Sequence, residues 1–160
     1  MALGRDEIYI AVIGASQASD ADLQVAERVG AALARAGAIV ICGGGSGVMT
    51  GASRGAASEG GTVVGILPSE DRASANEWVT IALPTGIGDL RNGLIVRACD
   101  AAVAVAGAYG TLSEISLALA QGVPVVGLGT WEIDGIEPYD EPGAAVERVL
   151  ELARARRART

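Results

Sequence analysis

The stretch from Ala101 to Gln121 constrains the fold more than any other part of the sequence. Its first residues, Ala101 to Ala106, form a short apolar run, which is typical of a strand buried on both faces. A glycine turn follows at residues 107–110, and from Thr111 onward the apolar positions recur at helical spacing. We therefore predict a buried strand that runs through a tight turn into a helix. In this geometry the free backbone N–H groups and the positive end of the helix dipole create an anion site.

A single carboxylate, Glu114, lies one turn into the predicted helix. Residues 111–114 read Thr-Leu-Ser-Glu and fit a capping box, in which Thr111 caps the helix and Glu114 returns to the N–H of the cap. The alternative is that Glu114 faces the anion site and has a chemical role. The local pattern leaves both interpretations open.

The rest of the chain alternates between strand and helix patterns. Strands are predicted at residues 8–13, 39–42, 62–67, 78–83 and 123–128, besides the one at 101–106. Helices are predicted from about 19 to 36, after the loop 43–51 up to about 59, and at about 89–99, 111–121 and 142–158, whereas residues 130–139 should be irregular. Either Ser19 or Asp20 would cap the first helix. This alternation predicts a Rossmann-like, doubly wound parallel sheet, an α/β fold with a single domain over residues 1–160.

The residue types that the chain lacks exclude several kinds of chemistry. It has no histidine, and all 12 of its basic residues are arginine. Imidazole catalysis, a Schiff-base lysine and the lysine of a Walker A loop are therefore excluded, and we predict no metal site. Any catalysis must use carboxylates, arginine, tyrosine, hydroxyl groups or backbone dipoles.

Charge and hydropathy set expectations about partners and location. The net charge is −7, which argues against nucleic acid as the main partner, and the basic segment at about 150–160 is expected to be a solvated helix end. No apolar run approaches the roughly 20 residues that a membrane span needs. The N-terminus does not have the pattern of a signal peptide. With Cys42 and Cys99 expected to be buried free thiols, we predict a cytoplasmic protein without membrane contact.

Three loops are predicted at the carboxyl ends of the strands, where open α/β sheets bind ligands: 14–16, 43–47 and 107–111. In the second loop three consecutive glycines and a fourth after Ser46 permit positive φ angles and close backbone approach to a phosphate. A tight turn that needs only one glycine is the alternative. The dinucleotide fingerprint is absent, because Thr50 stands where its third glycine belongs, so a hydride-transfer enzyme is disfavoured.

Arg91 lies near the start of the predicted helix at about 89–99, which leads into the predicted strand at 101–106. An arginine in this position could clamp a phosphate or a carboxylate with two hydrogen bonds. The alternative is a surface arginine that pairs with Asp89 or with a neighbouring subunit.

Residues 43–49 and 107–114 together resemble the two motifs of the LOG (LONELY GUY) superfamily, which was long mislabelled as lysine decarboxylases. The second motif of the family reads Pro-Gly-Gly-x-Gly-Thr-x-x-Glu, and here Ala106 replaces the proline and Ala108 the second glycine. The resemblance implies a Rossmann-like fold with a nucleotide-phosphate pocket, in a homodimer or a homotetramer. A decarboxylase is excluded because the chain has no lysine for the pyridoxal cofactor.

The resemblance carries two functional expectations. The enzymatic branch hydrolyses the N-glycosidic bond of nucleoside 5′-monophosphates with an arginine and a glutamate that fall on Arg91 and Glu114. That branch has Arg-Lys where this chain has Arg91-Asn92, and residues 76–92 resemble instead a sister branch that includes molybdenum cofactor carrier proteins. The first expectation is therefore a protein that binds a phosphorylated nucleotide or pterin, including the molybdenum cofactor as a ligand and requiring no other cofactor; the second is a phosphoribohydrolase.

The candidate site follows from these motifs. Arg91 and Glu114 would be the catalytic pair if the protein is an enzyme. The ring of the ligand would contact Tyr109, Met49 or Trp78. The expected phosphate- and ligand-binding residues are Gly14, Ser16, Gly43, Gly44, Gly45, Ser46, Gly47, Met49, Arg91, Asn92, Gly107, Tyr109, Gly110 and Thr111.

Overall fold

The computed structural model describes residues 6–160. The strands are β1 (Tyr9–Gly14), β2 (Ile39–Cys42), β3 (Val63–Leu67), β4 (Ile81–Pro84), β5 (Ala101–Val105), β6 (Val125–Leu128) and β7 (Ile136–Tyr139). The α-helices are α1 (Asp20–Arg35), α2 (Val48–Ser58), α3 (Asn92–Ala98), α4 (Tyr109–Ala120) and α5 (Pro142–Arg157). Two short 3-10 turns lie at Arg72–Ser74 and Gly88–Arg91.

All the strands form one parallel sheet in the order β4-β3-β2-β1-β5-β6-β7. This arrangement confirms the Rossmann-like α/β fold. The strand order reverses between β1 and β5, and the connections leave these two strands toward opposite ends of the sheet. A crevice opens outside the carboxyl ends of the strands at such a reversal, so the topology itself marks this place for a ligand.

Two apolar layers cover the sheet. Neighbouring residues of β1 point to opposite faces: Ile10 and Val12 pack with α1, α2 and α5, whereas Ala11 and Ile13 pack with α3 and α4. Every residue of β5 is at most 1% exposed, which confirms the prediction of a strand buried on both faces.

The backbones of α1 and α2 lie in direct contact, which explains why α2 is rich in glycine and alanine. A Cβ built on Gly30 would lie 2.0 Å from the carbonyl oxygen of Ala52, and a Cβ on Gly55 would lie 2.0 Å from that of Glu27. The small residues are therefore required by close helix packing and are not a bias of composition.

The first helix begins as the sequence indicates. Ser19 is its N-cap: the Ser19 hydroxyl accepts a hydrogen bond from the backbone N–H of Asp22 at 3.1 Å, and the Asp22 carboxylate accepts one from the N–H of Ser19. This reciprocal arrangement is a capping box. Of the two predicted caps, Ser19 and Asp20, the structure selects Ser19.

Several predicted boundaries were wrong. The strand predicted at 78–83 is β4 at Ile81–Pro84, and the helix predicted at about 89–99 is a 3-10 turn followed by α3. Residues 130–139 are not wholly irregular, because Ile136–Tyr139 forms β7 at the edge of the sheet, where the missing N–H of Pro138 is tolerated. The second helix begins at Val48, since Gly47 is its N-cap and Val48 donates to the carbonyl of Ala15 at 3.0 Å. The fourth helix begins at Tyr109, two residues before the predicted start.

The basic C-terminal segment is only partly solvated: Arg154 and Arg159 are exposed, as expected, whereas Arg156 and Arg157 pack against the rest of the chain. Helix α5 runs to Arg157, and the Arg156 guanidinium donates to the carbonyl oxygens of Cys99 and Asp100 at 3.1 and 3.4 Å. Arg157 forms an ion pair with Asp100 at 3.9 Å and donates to the carbonyl of Glu7. These contacts hold the last helix against the start of β5. Within residues 6–160 there is no helix with both the length and the apolar character needed to cross a bilayer.

Candidate functional site

A cleft of about 150 Å³ opens at the carboxyl ends of β1 and β2, beside the start of α4. The sequence predicted nine of the residues that line it: Gly14, Ser16, Gly43, Met49, Arg91, Asn92, Gly110, Thr111 and Glu114. Thus the structure brings the two proposed catalytic residues and parts of all three glycine loops together. Sequence reasoning did not assign Val12, Ile13, Ala15, Asp89 and Ala108 to this cleft.

The remaining members of the second glycine loop, residues 44–47, do not line the cleft. Gly44 and Gly47 have φ angles of +71° and +66°, and a Cβ on Gly47 would lie 2.3 Å from the carbonyl oxygen of Ala15. The Ser46 hydroxyl donates to the carbonyl of Ser16 at 3.0 Å. Residues 44–47 therefore pack closely against the loop after β1. Through this packing they position Gly43 and Met49, which line the cleft.

The start of α4 supplies open backbone donors to the cleft. Ala108 is the N-cap, and the helical hydrogen bonds begin with the N–H of Leu112, which donates to the carbonyl of Ala108 at 3.0 Å. The N–H groups of Tyr109, Gly110 and Thr111 therefore precede this ladder. Because Gly110 and Thr111 line the cleft, their donors and the helix dipole favour an anion there.

Arg91 is 9% exposed and lies on the floor of the cleft. Its Nη1 donates to Oδ1 of Asn92, whereas its buried Nε has no hydrogen-bond partner within the described chain. The alternative of a surface arginine paired with Asp89 is wrong, because Arg91 is buried and forms no such pair within residues 6–160. The unused donor of this buried arginine is an unsatisfied hydrogen-bonding group, which is uncommon in folded proteins.

A chain of hydrogen bonds fixes Arg91 relative to α4. Oδ1 of Asn92 accepts a hydrogen bond from the Arg91 guanidinium, and Nδ2 of Asn92 donates to the hydroxyl of Ser113 at 3.2 Å. Ser113 in turn donates to the carbonyl of Gly110 at 2.7 Å. The guanidinium is thereby tied to the same helical turn whose N–H groups face the cleft.

Glu114 is 6% exposed and does not cap its helix. Glu114 is the sixth residue of α4, which is too far from the N-cap for a capping box. Thr111 has that position instead, and the Thr111 hydroxyl accepts a hydrogen bond from the N–H of Ala108 at 3.4 Å. The capping interpretation of Glu114 was therefore wrong. Burial raises the pKa of the Glu114 carboxyl to about 8, although the charge of Arg91 acts in the opposite direction. This rise in pKa favours the protonated form of the carboxyl at neutral pH.

The turn before α4 has an unusual backbone. Ala106 has a φ of +50°, and Gly107 has a φ of +148°. Proline cannot adopt the φ of Ala106. The turn at this position therefore has a conformation that is incompatible with the proline of the family motif. Gly107 lines a neighbouring hollow with Trp131 and does not line the cleft itself.

An aromatic pair flanks the cleft. The rings of Tyr109 and Trp131 have centroids 6.3 Å apart, and Nε1 of Trp131 donates to the carbonyl of Ala108 at 3.3 Å. Trp78, which sequence reasoning offered as a lining residue, is not among the residues that line the cleft. Trp131 was missed because it falls in the segment expected to be irregular; its position directly after a buried strand was the available signal.

The arrangement is suited to holding an anion in a partly dry site. It combines backbone donors, a fixed guanidinium and a carboxyl that burial keeps protonated, and Met49 and Val12 add apolar surface. The second titratable group at the edge is the exposed Asp89. A phosphate group fits this donor set, because each donor supplies a hydrogen and only Asp89 opposes the charge of the ligand.

The thiol nearest the cleft, Cys42, takes no part in it. Cys42 is fully buried behind the second glycine loop, where its Sγ lies 3.6 Å from the hydroxyl of Ser53 and 3.3 Å from the N–H of Gly44. Burial raises the pKa of this thiol above its ordinary value. Cys42 is therefore a protonated structural residue, and it is free, as is Cys99.

Comparison with known structures places this fold beside molybdenum cofactor proteins. The molybdenum cofactor binding protein from the phototrophic bacterium Rippkaea orientalis superposes with a TM-score of 0.88 and 31% identity, over 93% of this chain and 99% of that one. The molybdenum cofactor carrier protein of Chlamydomonas reinhardtii gives a TM-score of 0.85 and 30% identity, over 92% of this chain and 99% of that one.

Sequence comparison agrees with the structural one. A protein of Archaeoglobus fulgidus is 40% identical over 140 residues, which are 87% of this chain and 92% of the relative. The model of the SLOG cluster4 family matches residues 7–155. These matches confirm the resemblance to the LOG-like superfamily that the glycine motifs indicated. The chain belongs to the SLOG cluster4 family.

Proposed function

We propose that this protein binds and carries a small phosphorylated ligand that bears a planar ring, a nucleotide or a pterin such as the molybdenum cofactor, without chemical turnover. The observation that carries the proposal is the position of Arg91: its side chain lines the cleft together with Gly110 and Thr111 at the start of α4, and its buried Nε has no hydrogen-bond partner in the described chain. The similarity to molybdenum cofactor carrier proteins supports the same ligand class.

The phosphate would lie between Arg91 and the first turn of α4. Gly110 and Thr111 offer backbone N–H groups, and Arg91 offers the part of its guanidinium not engaged by Asn92. Charge-assisted hydrogen bonds of this kind contribute about 1.5–3 kcal/mol each. Gly43 allows the guanidinium to lie close to the loop after β2, so the anchor is rigid before the ligand arrives.

The protonated Glu114 favours binding over hydrolysis. An ionised carboxylate in this cleft would repel a phosphate dianion, whereas a protonated one can donate a hydrogen bond to it. An oxocarbenium-like transition state needs a carboxylate with a negative charge. With a pKa near 8, Glu114 has the charge state that suits a ligand anion.

The molybdenum cofactor fits these donors as a cargo through its phosphate. This chain's residues would hold that phosphate, and the thioether of Met49 is the one sulfur atom among the residues that line the cleft. The cofactor would supply its own metal and pterin. No other cofactor is part of the proposal.

A phosphoribohydrolase is the second candidate, because Arg91 and Glu114 lie in one cleft as the enzymatic branch requires. In that case Arg91 would hold the nucleotide, and an ionised Glu114 would stabilise the charge that develops on ribose or activate water. Base release would then rise with pH through about 8, as Glu114 loses its proton.

We further propose a cytoplasmic homodimer or homotetramer whose main partner is this small molecule rather than nucleic acid. The two free, buried cysteines suit a reducing compartment, and the net charge of −7 disfavours a polyanion. Exposed leucines in the 3-10 turn Gly88–Arg91, α3 and α4 support association: Leu90, Leu94 and Leu117 are 80%, 43% and 38% exposed.

A combined binding and turnover assay tests the proposal. Purified protein is incubated with a panel of nucleoside 5′-monophosphates and a pterin phosphate, and both the melting temperature and the free base are measured. We expect a raised melting temperature and no base release, in the wild type and in Glu114→Gln alike. Base release that Glu114→Gln abolishes would establish the hydrolase, and an unchanged melting temperature with every compound would refute ligand binding.

A further inference from the structure

Two aromatic side chains meet on the surface beside the cleft, although the chain has only 3% aromatic residues and no phenylalanine. Tyr109 is 83% exposed and Trp131 is 37% exposed. Their ring centroids are 6.3 Å apart, and their planes are inclined by 31°. Apolar rings of this size are normally buried, so an exposed pair at the mouth of a cleft indicates a contact surface.

The pair is fixed to the residues that form the anion site. Trp131 donates from Nε1 to the carbonyl of Ala108 at 3.3 Å, and Ala108 lines the cleft as the N-cap of α4. Tyr109 is the first residue of that helix, directly before Gly110. A ligand whose phosphate lies on Gly110 and Thr111 would therefore have its next groups close to both rings.

The cleft is too small to hold a whole nucleotide or pterin phosphate. Its volume of about 150 Å³ equals that of a cavity that accommodates one benzene molecule. A second cavity of about 470 Å³ lies between the loops after β6 and β7, and Trp131 is one of its walls. Ligand pockets commonly measure about 300–1,000 Å³, so of these two neighbouring spaces the second has the size that a fused ring system needs.

Two carboxylates line the same second cavity. They belong to Glu132 and Asp134, both exposed residues of the loop after β6. Carboxylates can accept hydrogen bonds from the ring N–H and amino groups at the edge of a purine or pterin.

Resting on the function proposed above, we propose that Tyr109 and Trp131 form a stacking platform for the planar heteroaromatic ring of the ligand. The cleft holds the phosphate, and the ring leaves the cleft past Ala108 and lies against Trp131 at the entrance of the β6–β7 cavity. Aromatic stacking accepts any planar base, so the platform adds affinity for rings as a class. The polar edge of the cavity then selects rings that donate hydrogen bonds.

Titration calorimetry with two probes that differ only by the ring tests this assignment. Guanosine 5′-monophosphate carries the phosphate and the ring, whereas ribose 5-phosphate carries the phosphate without the ring. We expect Trp131→Leu to weaken the affinity for guanosine 5′-monophosphate about 5- to 150-fold, the range that loss of one base–aromatic contact produces. The affinity for ribose 5-phosphate should change less than twofold.

Matched variants separate stacking from general damage to the surface. Trp78 is 36% exposed, nearly as much as Trp131, and lies outside the cleft, so Trp78→Leu should leave both affinities unchanged. Tyr109→Phe keeps the ring and should bind like the wild type, whereas Tyr109→Leu should resemble Trp131→Leu. In a Trp78→Phe protein Trp131 is the sole tryptophan, and guanosine 5′-monophosphate should quench its fluorescence.

The outcomes distinguish the platform from the proposed function. Equal affinity of Trp131→Leu and the wild type for guanosine 5′-monophosphate, with both probes still bound, would overturn the platform and leave phosphate binding intact. Failure of the wild type to bind either probe or a pterin phosphate would overturn the proposed function and the platform together. A selective loss of guanosine 5′-monophosphate binding in Trp131→Leu and Tyr109→Leu would support both.

Discussion

The guanidinium of Arg91 lies against the α-carbon of Gly43, so closely that a Cβ on Gly43 would be 2.5 Å from Nη2 of Arg91. The same Cβ would lie 2.7 Å from Sδ of Met49. The absence of a side chain at this position therefore decides where the buried arginine can lie. In the proposed function, Gly43 would therefore influence ligand binding by setting the position of Arg91.

We expect Gly43→Ala to weaken ligand binding more than it affects stability. Gly43 does not have a positive φ, so alanine is allowed by the backbone, and the new methyl group must displace the flexible ends of Arg91 and Met49. The affinity for guanosine 5′-monophosphate should fall about tenfold or more, which corresponds to about 1.4 kcal/mol. Titration calorimetry and thermal melting give the two quantities.

Gly143→Ala is the matched control for this substitution. No heavy atom lies within 4 Å of a Cβ built on Gly143, and the residue belongs to the first turn of α5, far from the cleft. Its affinity should equal that of the wild type. Wild-type affinity in Gly43→Ala as well would show that the position of Arg91 does not matter for the ligand.

The stability of the protein should fall as the pH rises from about 5 to about 8. The folded state raises the pKa of Glu114 from 4.5 to about 8, so in this window the folded state holds a proton that the unfolded state has lost. The stabilisation is complete below the unfolded pKa and is lost as the pH passes the folded pKa. Since one pKa unit corresponds to about 1.4 kcal/mol, the loss should be on the order of a few kcal/mol.

Urea unfolding at a series of pH values measures this effect. Glu114→Gln should remove most of the slope between pH 5 and pH 8, because glutamine is neutral throughout. Glu147→Gln alters an exposed glutamate of α5 and should keep the wild-type slope. Parallel pH curves for Glu114→Gln and the wild type would contradict the burial of a protonated carboxyl at this position.

Gly55→Ala should destabilise the fold without a specific effect on the ligand site. A Cβ on Gly55 would lie 2.0 Å from the carbonyl oxygen of Glu27, and backbone cannot yield as a side chain can. Overpacking of this kind costs about 1–3 kcal/mol. Denaturant unfolding should show this loss for Gly55→Ala, whereas Gly143→Ala serves again as the reference and should be unchanged or slightly more stable. A stability of Gly55→Ala equal to that of the wild type would mean that α1 and α2 are not in backbone contact.

Association should depend on the exposed leucines of α3 and α4. Leu117 of α4 packs beside Gly93 of α3, with its Cδ1 4.0 Å from the Cβ position of that glycine, and Leu94 directly follows Gly93 and is 43% exposed. We expect Leu94→Glu to convert a dimer or tetramer into monomers in light scattering. Ala144→Glu, on the exposed side of α5, should leave the mass unchanged. A monomeric wild type would contradict the role of these leucines.

Sequence reasoning could predict the features that depend on local pattern. The alternation of strands and helices fixes a doubly wound sheet, and the apolar run at Ala101–Val105 is buried as its composition indicates. The glycine turn before α4 predicts the open N–H groups of that helix. β7 could not be predicted, because a four-residue edge strand with Pro138 carries neither alternation nor a long apolar run.

The roles of individual site residues depend on tertiary contacts that no local pattern contains. The sequence Thr-Leu-Ser-Glu fits a capping box, but the helix begins two residues earlier than this motif predicts. Glu114 therefore does not cap the helix and is instead a buried residue that lines the cleft. Gly44 and Gly47 satisfy the pattern of a phosphate loop, but in the structure they fit the loop against its neighbours. Trp131 reaches the site because β6 lies next to β5, a neighbour relation that only the strand order provides.

The central claim is that Arg91 and the first turn of α4 hold the phosphate of a ligand, and one titration tests it most directly. Guanosine 5′-monophosphate is titrated into the wild type, Arg91→Gln and Arg97→Gln, an exposed arginine of the same region of α3. Removing the charge-assisted contacts of Arg91 should lower the affinity about 10- to 150-fold, while Arg97→Gln should bind like the wild type. Equal affinities of Arg91→Gln and the wild type would contradict the account.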